Sequence, residues 1–333
     1  MTALRLGIIG ATGTALKRTL PALSGSLKVV VSAVQARNAA KLNAIREQLG
    51  AALVFEREQD LFDSGVFDFL YIATPPFLHR RHISQAMATG KPMVCEKPLG
   101  QNLEEAMAVA ALLQDYGQPF MVAHHLRHQQ AMADIKTFLN EGRMGTPASG
   151  WAQWNFKLNR ASQNAIWKLD ESLGGAGPFA DAGAHLIDIL LYLFGAPRSV
   201  CAHEHSADAM GRMNGSTGLL CYDAFAIAVN ASQEAPSLGN DLLLYGTEGK
   251  VEAFGSMSEK SIRAVTLTTS GGKSNHYAYP EVNLYGAEIE DFADFIAGRA
   301  PSHRGTSLDE ACLGVRVMDA LHRAATSGRR VEV

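Results

Sequence analysis

A chain of 333 residues, 47% hydrophobic and 19% charged with a formal charge of −3, has a globular composition and the length of two domains, which excludes disorder, a coiled coil and a collagen-like chain. The charge balance offers no basic surplus for a nucleic-acid partner or an anionic membrane surface, and no uncharged apolar run approaches the roughly 18 residues that span a bilayer. Four cysteines without a CxxC pairing make neither a disulfide framework nor a zinc signature, so the expectation is a cytoplasmic protein with reduced thiols.

From residue 4 to residue 123, short apolar runs alternate with amphipathic stretches: LRLGII (4–9), VVVSAV (29–34), ALVF (52–55), FLYIA (69–73), PMVC (92–95) and FMVA (120–123). Uninterrupted runs of this length suit strands covered on both faces, and the intervening helices complete βαβ units. The prediction is an α/β fold whose N-terminal domain, residues 1–123, is a Rossmann doubly wound parallel sheet with ligands at the carboxyl ends of its strands.

The first run leads into Gly10-Ala11-Thr12-Gly13-Thr14-Ala15, with helix-forming residues from about Thr14. A dinucleotide fold needs a sharp glycine turn there, with backbone N–H groups and a helix N-terminus facing a pyrophosphate. Thr12 occupies the usual middle-glycine position and Gly13 comes one place later, so a phosphate-free glycine turn is the competing reading. At the end of the second run, the acidic residue that holds a ribose in NAD enzymes is replaced by Ala36, and Arg37 follows. Nothing there repels a 2′-phosphate and a guanidinium can fork onto it, so NADP is favoured with NAD possible; the alternative is a solvated Arg37.

Thr74, Pro75 and Pro76 end the fourth strand, with His79 opening the helix after it, and Glu96-Lys97-Pro98 ends the fifth. An ammonium at the carboxyl edge of the sheet can polarise a substrate hydroxyl or carbonyl, although most lysines are simply solvated. His125 and Arg127 follow the sixth run.

After Gly145 the rhythm changes to longer alternating runs at 149–158, 217–232, 241–254 and 261–270, which predicts a mostly antiparallel open sheet in a C-terminal α/β domain, residues 124–333. Trp151, Trp154, Asn155 and Arg160 can line a substrate, but alternation alone does not say which strand face is which. Between them lies WKLDESLGGAGPFADAGAHLIDILLYLFG (167–195), where Asp181, His185 and Asp188 follow i, i+4, i+7 spacing and share one face of a helix. Histidine titrates near the pH at which an alcohol proton must move, and a carboxylate one turn away can orient it; a structural histidine or a metal site are the alternatives. His124–His125 and His203–His205 have no metal-ligand spacing. Helices at 287–298 and 307–326 close the chain, the second with Ser307 and Glu310 as a capping box.

Together GIIGATGTA, ATPPFLH (73–79), EKP (96–98), GRMGTP (142–147), WKLD (167–170), the D-x-G-x-H-x-x-D run from Asp181 to Asp188, LYGTEGKVE (244–252) and EIEDFADFI resemble the glucose-fructose oxidoreductase / inositol dehydrogenase (Gfo/Idh/MocA) family along essentially the whole chain. The resemblance implies a nicotinamide cofactor and a sugar-like substrate, with a homodimer or homotetramer built through the C-terminal sheet. It implies a catalytic set of Lys97, Asp181 and His185 at a domain cleft. The expected cofactor contacts are residues 10–15, Arg37, Thr74, Pro75, Pro76, His79, Glu96 and Lys97, with no metal, and the resemblance adds His125, Arg127, Trp167 and Lys168. Lys168 stands where the family often has arginine. The expected reaction is hydride exchange between nicotinamide and a secondary alcohol or ketone. A non-catalytic nucleotide-sensing regulator, or a glycoside-cleaving enzyme with only transient redox, are the alternatives.

Overall fold

The computed structural model describes residues 2–37, 45, 47, 52–160, 167–175, 177–205, 207, 212–237 and 239–333. The apolar runs of the N-terminal third form six strands, β1 (Leu4–Ile9), β2 (Val29–Gln35), β3 (Leu53–Phe55), β4 (Phe69–Ile72), β5 (Met93–Glu96) and β6 (Phe120–Ala123). They pair in parallel in the order β3-β2-β1-β4-β5-β6, the doubly wound order with its switch point between β1 and β4.

A helix expected from Thr14 begins as a π-helical turn, Ala15–Thr19, which runs into α1 (Leu20–Leu23). Pro21 sits in the first turn of α1 and has no N–H to give the carbonyl four residues back, so the ladder before it is wound wider. Then follow α2 (Glu58–Ser64), a 3₁₀ turn at Pro76–Leu78, α3 (His79–Met87) and α4 (Leu103–Leu113).

The later strands are β7 (Pro147–Asn155), β8 (Ser199–His205), β9 (Gly215–Cys221), β10 (Ala226–Ser232), β11 (Leu242–Gly246), β12 (Gly249–Ala253), β13 (Ala264–Thr269), β14 (Ser274–Ala278) and β15 (Val331–Glu332). They form a second sheet in the order β14-β13-β12-β11-β7-β10-β9-β8-β15, antiparallel except for the β7–β10 pair. The helices that follow β6 in the chain are α5 (Gln130–Asn140), the short α6 (Glu171–Gly174), α7 (Gly177–Phe194), α8 (Leu284–Ile296) and α9 (Leu308–Ser327). α7 lies on β7, β9 and β10. It buries almost every residue from Pro178 to Leu193, which is why its sequence is apolar on nearly all sides.

The chain forms two compact units. The first takes residues up to Gly100, Glu104–His125 and Tyr285–Asp309; the second takes Gln101–Leu103, Leu126–Leu284 and Glu310–Val333. The first unit therefore holds a late return of the chain. Ile289, Phe292 and Ala293 on α8 join Leu6, Ile8, Phe69, Tyr71 and Val94 in one buried cluster, with the Phe69 and Phe292 rings 6.0 Å apart.

Candidate active site

In the first unit the strand ends at the switch point carry the candidate cofactor residues. Gly10 has φ +80°, and a Cβ there would lie 2.5 Å from the Thr74 methyl and 3.0 Å from the Ala73 carbonyl oxygen. Only glycine fits both the backbone conformation and the space. The N–H groups of Gly10 and Ala11 donate to the Gln35 carbonyl at 3.1 and 2.9 Å. The Gln35 side chain braces the turn from the same side, accepting from Gly10 N–H at 3.3 Å and donating to the Glu56 carbonyl at 2.9 Å. Ala11 and Ala15 are buried in the core, so the part of the loop left at the surface is Thr12, Gly13 and Thr14.

A Cβ built at Gly13 meets nothing within 4 Å. A crowded first glycine and an open second one, at the carboxyl end of β1, are what the approach of a pyrophosphate requires, and the residues present fit a dinucleotide. Ala36 is buried and Arg37 exposed at the end of β2, with no carboxylate at either position.

Thr74 Oγ1 lies 3.0 Å from His82 Nδ1, while Arg81 meets His82 Nε2 at 2.6 Å. Burial, and then the Arg81 charge, push His82 down to about 4 despite Glu58 at 3.4 Å. Pro75 is half-buried and Pro76 buried. His79 is fully buried with Nε2 at 2.8 Å from the Thr74 carbonyl and Nδ1 at 3.3 Å from the Leu99 carbonyl. Its ring therefore spans the Thr74 turn and the segment after Lys97; burial lowers its pKa.

Glu96, at the end of β5, is buried and accepts from the Tyr71 hydroxyl through Oε1 and from the Lys97 N–H at 3.2 Å through Oε2. The Tyr71 phenol is held well above its usual range, first by burial and then by the Glu96 and Glu288 carboxylates. Lys97 is half-buried and precedes a cis peptide bond to Pro98. His125 is buried and stacks on Tyr285 at 4.5 Å.

The second unit carries the other candidates on α7 and around it. The Asp181 carboxylate accepts from Lys168 Nζ with both oxygens, each at 2.8 Å, and from Gln233 Nε2 at 3.3 Å. Lys168 Nζ also lies 5.5 Å from the Trp167 ring centre and 5.8 Å from that of Phe156. His185, one turn after Asp181, stacks on the Trp154 ring at 4.4 Å with an interplanar angle of 17°. Trp154 is thus on the helix-covered face of β7 and Trp151, 37% exposed, on the other. Arg160 donates to the Asn214 side-chain oxygen, and Asn155, buried, shares a 3.5 Å contact with Asn230.

Arg127 and Asp188 are each 3% exposed and form a forked pair, with Nε to Oδ2 at 2.9 Å and an Nη to Oδ1 at 2.8 Å. Arg127 reaches Glu310 with its remaining branch at 2.9 Å. Its guanidinium therefore ties the segment before α5 to α7 and α9 within the second unit.

Sequence reasoning did not single out Gln35, Tyr71, His82 or Gln233. Gln35 is one place before the acidic position at the end of β2, and Tyr71 is the one hydroxyl in an apolar run. Those are weak signals, because each residue acts on a neighbouring strand or loop whose pairing is not written in its own segment. Among the described residues no three His, Cys, Asp or Glu side chains gather as metal ligands.

The profile of an oxidoreductase family with an NAD-binding Rossmann fold, GFO/IDH/MocA, matches residues 4–124, and the profile of the GFO/IDH/MocA C-terminal domain matches 132–252. The chain is 26% identical over 330 residues to D-xylose 1-dehydrogenase (NADP(+)) 2 of Haloferax volcanii, spanning 98% of this chain and 99% of that protein. It is 27% identical over 337 residues to 1,5-anhydro-D-fructose reductase of Ensifer adhaerens, spanning 99% and 98%. The crystal structure of an aldose-aldose oxidoreductase from Caulobacter crescentus in complex with glycerol superposes with a TM-score of 0.88 at 22% identity, over 99% of this chain and 100% of that one, a likeness of fold. Fold, glycine turn and both profiles agree: the chain belongs to the GFO/IDH/MocA family of oxidoreductases.

Proposed function

We propose that the protein exchanges a hydride between a nicotinamide cofactor, NADP in preference to NAD, and a secondary alcohol or ketone of a sugar, polyol or related small molecule. The observation that carries the reading is the Asp181–His185 pair, one turn apart on α7 in a chain whose first unit places Lys97 directly after β5. The two named relatives, a sugar dehydrogenase and a sugar reductase, support it.

When bound, the nicotinamide accepts or returns the hydride. In the oxidation direction His185 takes the hydroxyl proton on its imidazole, Lys97 Nζ hydrogen-bonds the oxygen as negative charge develops, and Asp181 orients the histidine; in reduction the proton moves the other way. Gly10 and Gly13 give the pyrophosphate room, and Arg37 takes the 2′-phosphate. Thr74, Pro75 and Pro76 shape the turn beside Gly10, with His79 behind it. Residues 1–123, joined by the α8 return, serve as the cofactor domain, and the rest of 124–333 as the substrate and oligomerisation domain. The test is nicotinamide absorbance with NADPH and NADP⁺ over a panel of aldoses, ketoses and polyols. Substrate-dependent change in absorbance is expected; cofactor binding with no turnover, or product without net change in absorbance, contradicts the reading.

The uncovered face of the second sheet supports a second copy of the chain as partner. Leu243, Trp151, Ala228, Leu219 and Cys201 are successive cross-strand neighbours in one row, with Leu219 43% exposed. A contiguous apolar row on a sheet is a docking face. Light scattering is expected to give a dimer or tetramer that Trp151→Asp with Leu219→Lys dissociates; a monomeric wild type contradicts it. We place the protein in the cytoplasm from its four free cysteines.

A further inference from the structure

Lys168, expected at the cofactor, places its ammonium on Asp181. An arginine at this position forks across a carboxylate; a lysine is a point charge, and here it lies equidistant, 2.8 Å from each oxygen. The same ammonium lies within cation–π range of the Trp167 and Phe156 rings, 5.5 and 5.8 Å from their centres. Both partners are withdrawn from water, with side chains 25% and 13% exposed, so their charges are screened less than those of a surface pair. Gln233 adds a third hydrogen bond to the same carboxylate.

From this geometry we infer that Lys168 is a positioning residue of the catalytic pair: it holds Asp181 in place and offsets its charge, and so sets the pH at which His185 gives up its proton. The inference rests on the reading of Asp181 and His185 as that pair. Asp181 and His185 are helix neighbours, about 5–6 Å apart between Cβ atoms. A bare carboxylate at that range favours the imidazolium, and a cation on the carboxylate takes back part of that preference.

The other charged groups named around α7 in the second unit have partners other than Lys168. Asp188, on the same helix, is closed by Arg127, which also holds Glu310 from α9; Glu204 on β8 lies 3.4 Å from His322; Lys136 on α5 lies over the Tyr192 ring. Trp154 and Gln233, from β7 and the end of β10, are uncharged.

The test is a histidine-ring NMR titration of the ligand-free protein, with the His185 signal assigned by His185→Asn. Lys168→Met is expected to move the His185 midpoint up, and Asp181→Asn to move it down, each by roughly half a unit or more, with Lys168→Arg staying near the wild type. Asp181→Asn carries the downward arm even if Lys168→Met fails to fold. An unmoved midpoint in Lys168→Met, together with weakened NADPH binding, returns Lys168 to the cofactor and overturns the inference. Because no substrate is present, a failure of the catalytic reading shows separately, as full turnover in His185→Asn with these shifts intact.

Discussion

Arg37 follows a buried alanine at the position where a ribose-binding carboxylate would stand, and its side chain is exposed at the end of β2. With no carboxylate at position 36 or 37, the guanidinium is expected to favour a 2′-phosphate by about 1.5–3 kcal/mol, the range of charge-assisted hydrogen bonds. Titrating both cofactors into the protein is expected to show tighter NADP, with Arg37→Ala removing most of the difference; equal affinities in the wild type contradict it. His82 offers a second test at the scale of one side chain. It is neutral in the fold and pushed down to about 4, against about 6.5 in an unfolded chain. Above pH 6.5 neither state binds the proton, so the group adds no pH dependence. As pH falls from there toward 4 the unfolded chain gains a proton that the folded chain refuses, and stability drops by about 1.4 kcal/mol for each unit of separation. His79, buried with a lowered pKa, acts in the same direction. Urea unfolding between pH 7.5 and about 4 is expected to show this loss, and His82→Gln to flatten it; a wild type equally stable across the window contradicts it.

At the scale of elements, α7 is the piece on which the second unit depends. Its buried Asp188 is matched by Arg127, and removing one member of such a pair costs about 3–5 kcal/mol because the other charge is left without a partner. Asp188→Ala is expected to lower the urea midpoint sharply, and adding Arg127→Met to recover part of the loss; an unchanged midpoint in the single variant contradicts the assignment. The six parallel strands are readable in the sequence because each is a short run buried on both faces, and α7 because its apolar stripe continues over five turns. The alternation of β7 shows that Trp151 and Trp154 face opposite ways but not which one is inside; that is settled by α7 lying on the Trp154 face. The apolar face of α8 is likewise visible in EIEDFADFI, but not that it meets Phe69 and Leu6 of the first sheet. Pairings across long stretches of chain carry no local signature: Lys168, expected at the cofactor, pairs with Asp181, and Tyr71, in an apolar strand, pairs with Glu96.

At the scale of the whole molecule, the sequence motifs fall on two units of different construction. A parallel sheet with a glycine turn at its switch point carries the proposed dinucleotide site, and a mostly antiparallel sheet lies under the long helix that carries the proposed acid-base pair. The motifs legible in the sequence were those that chemistry restricts to few residue types: a glycine at positive φ, a lysine at a strand end, a carboxylate and an imidazole one helical turn apart. The supports behind them were not, since a glutamine, a tyrosine or a second lysine serves only through its neighbours. The central claim is that Lys97 and His185 act on the reacting oxygen and not on cofactor binding. It is tested most directly by measuring kcat and the NADPH Kd in parallel for Lys97→Ala and His185→Ala. Each variant is expected to lose about 10²–10⁴-fold in kcat with a nearly unchanged Kd, and wild-type turnover in both would contradict the account.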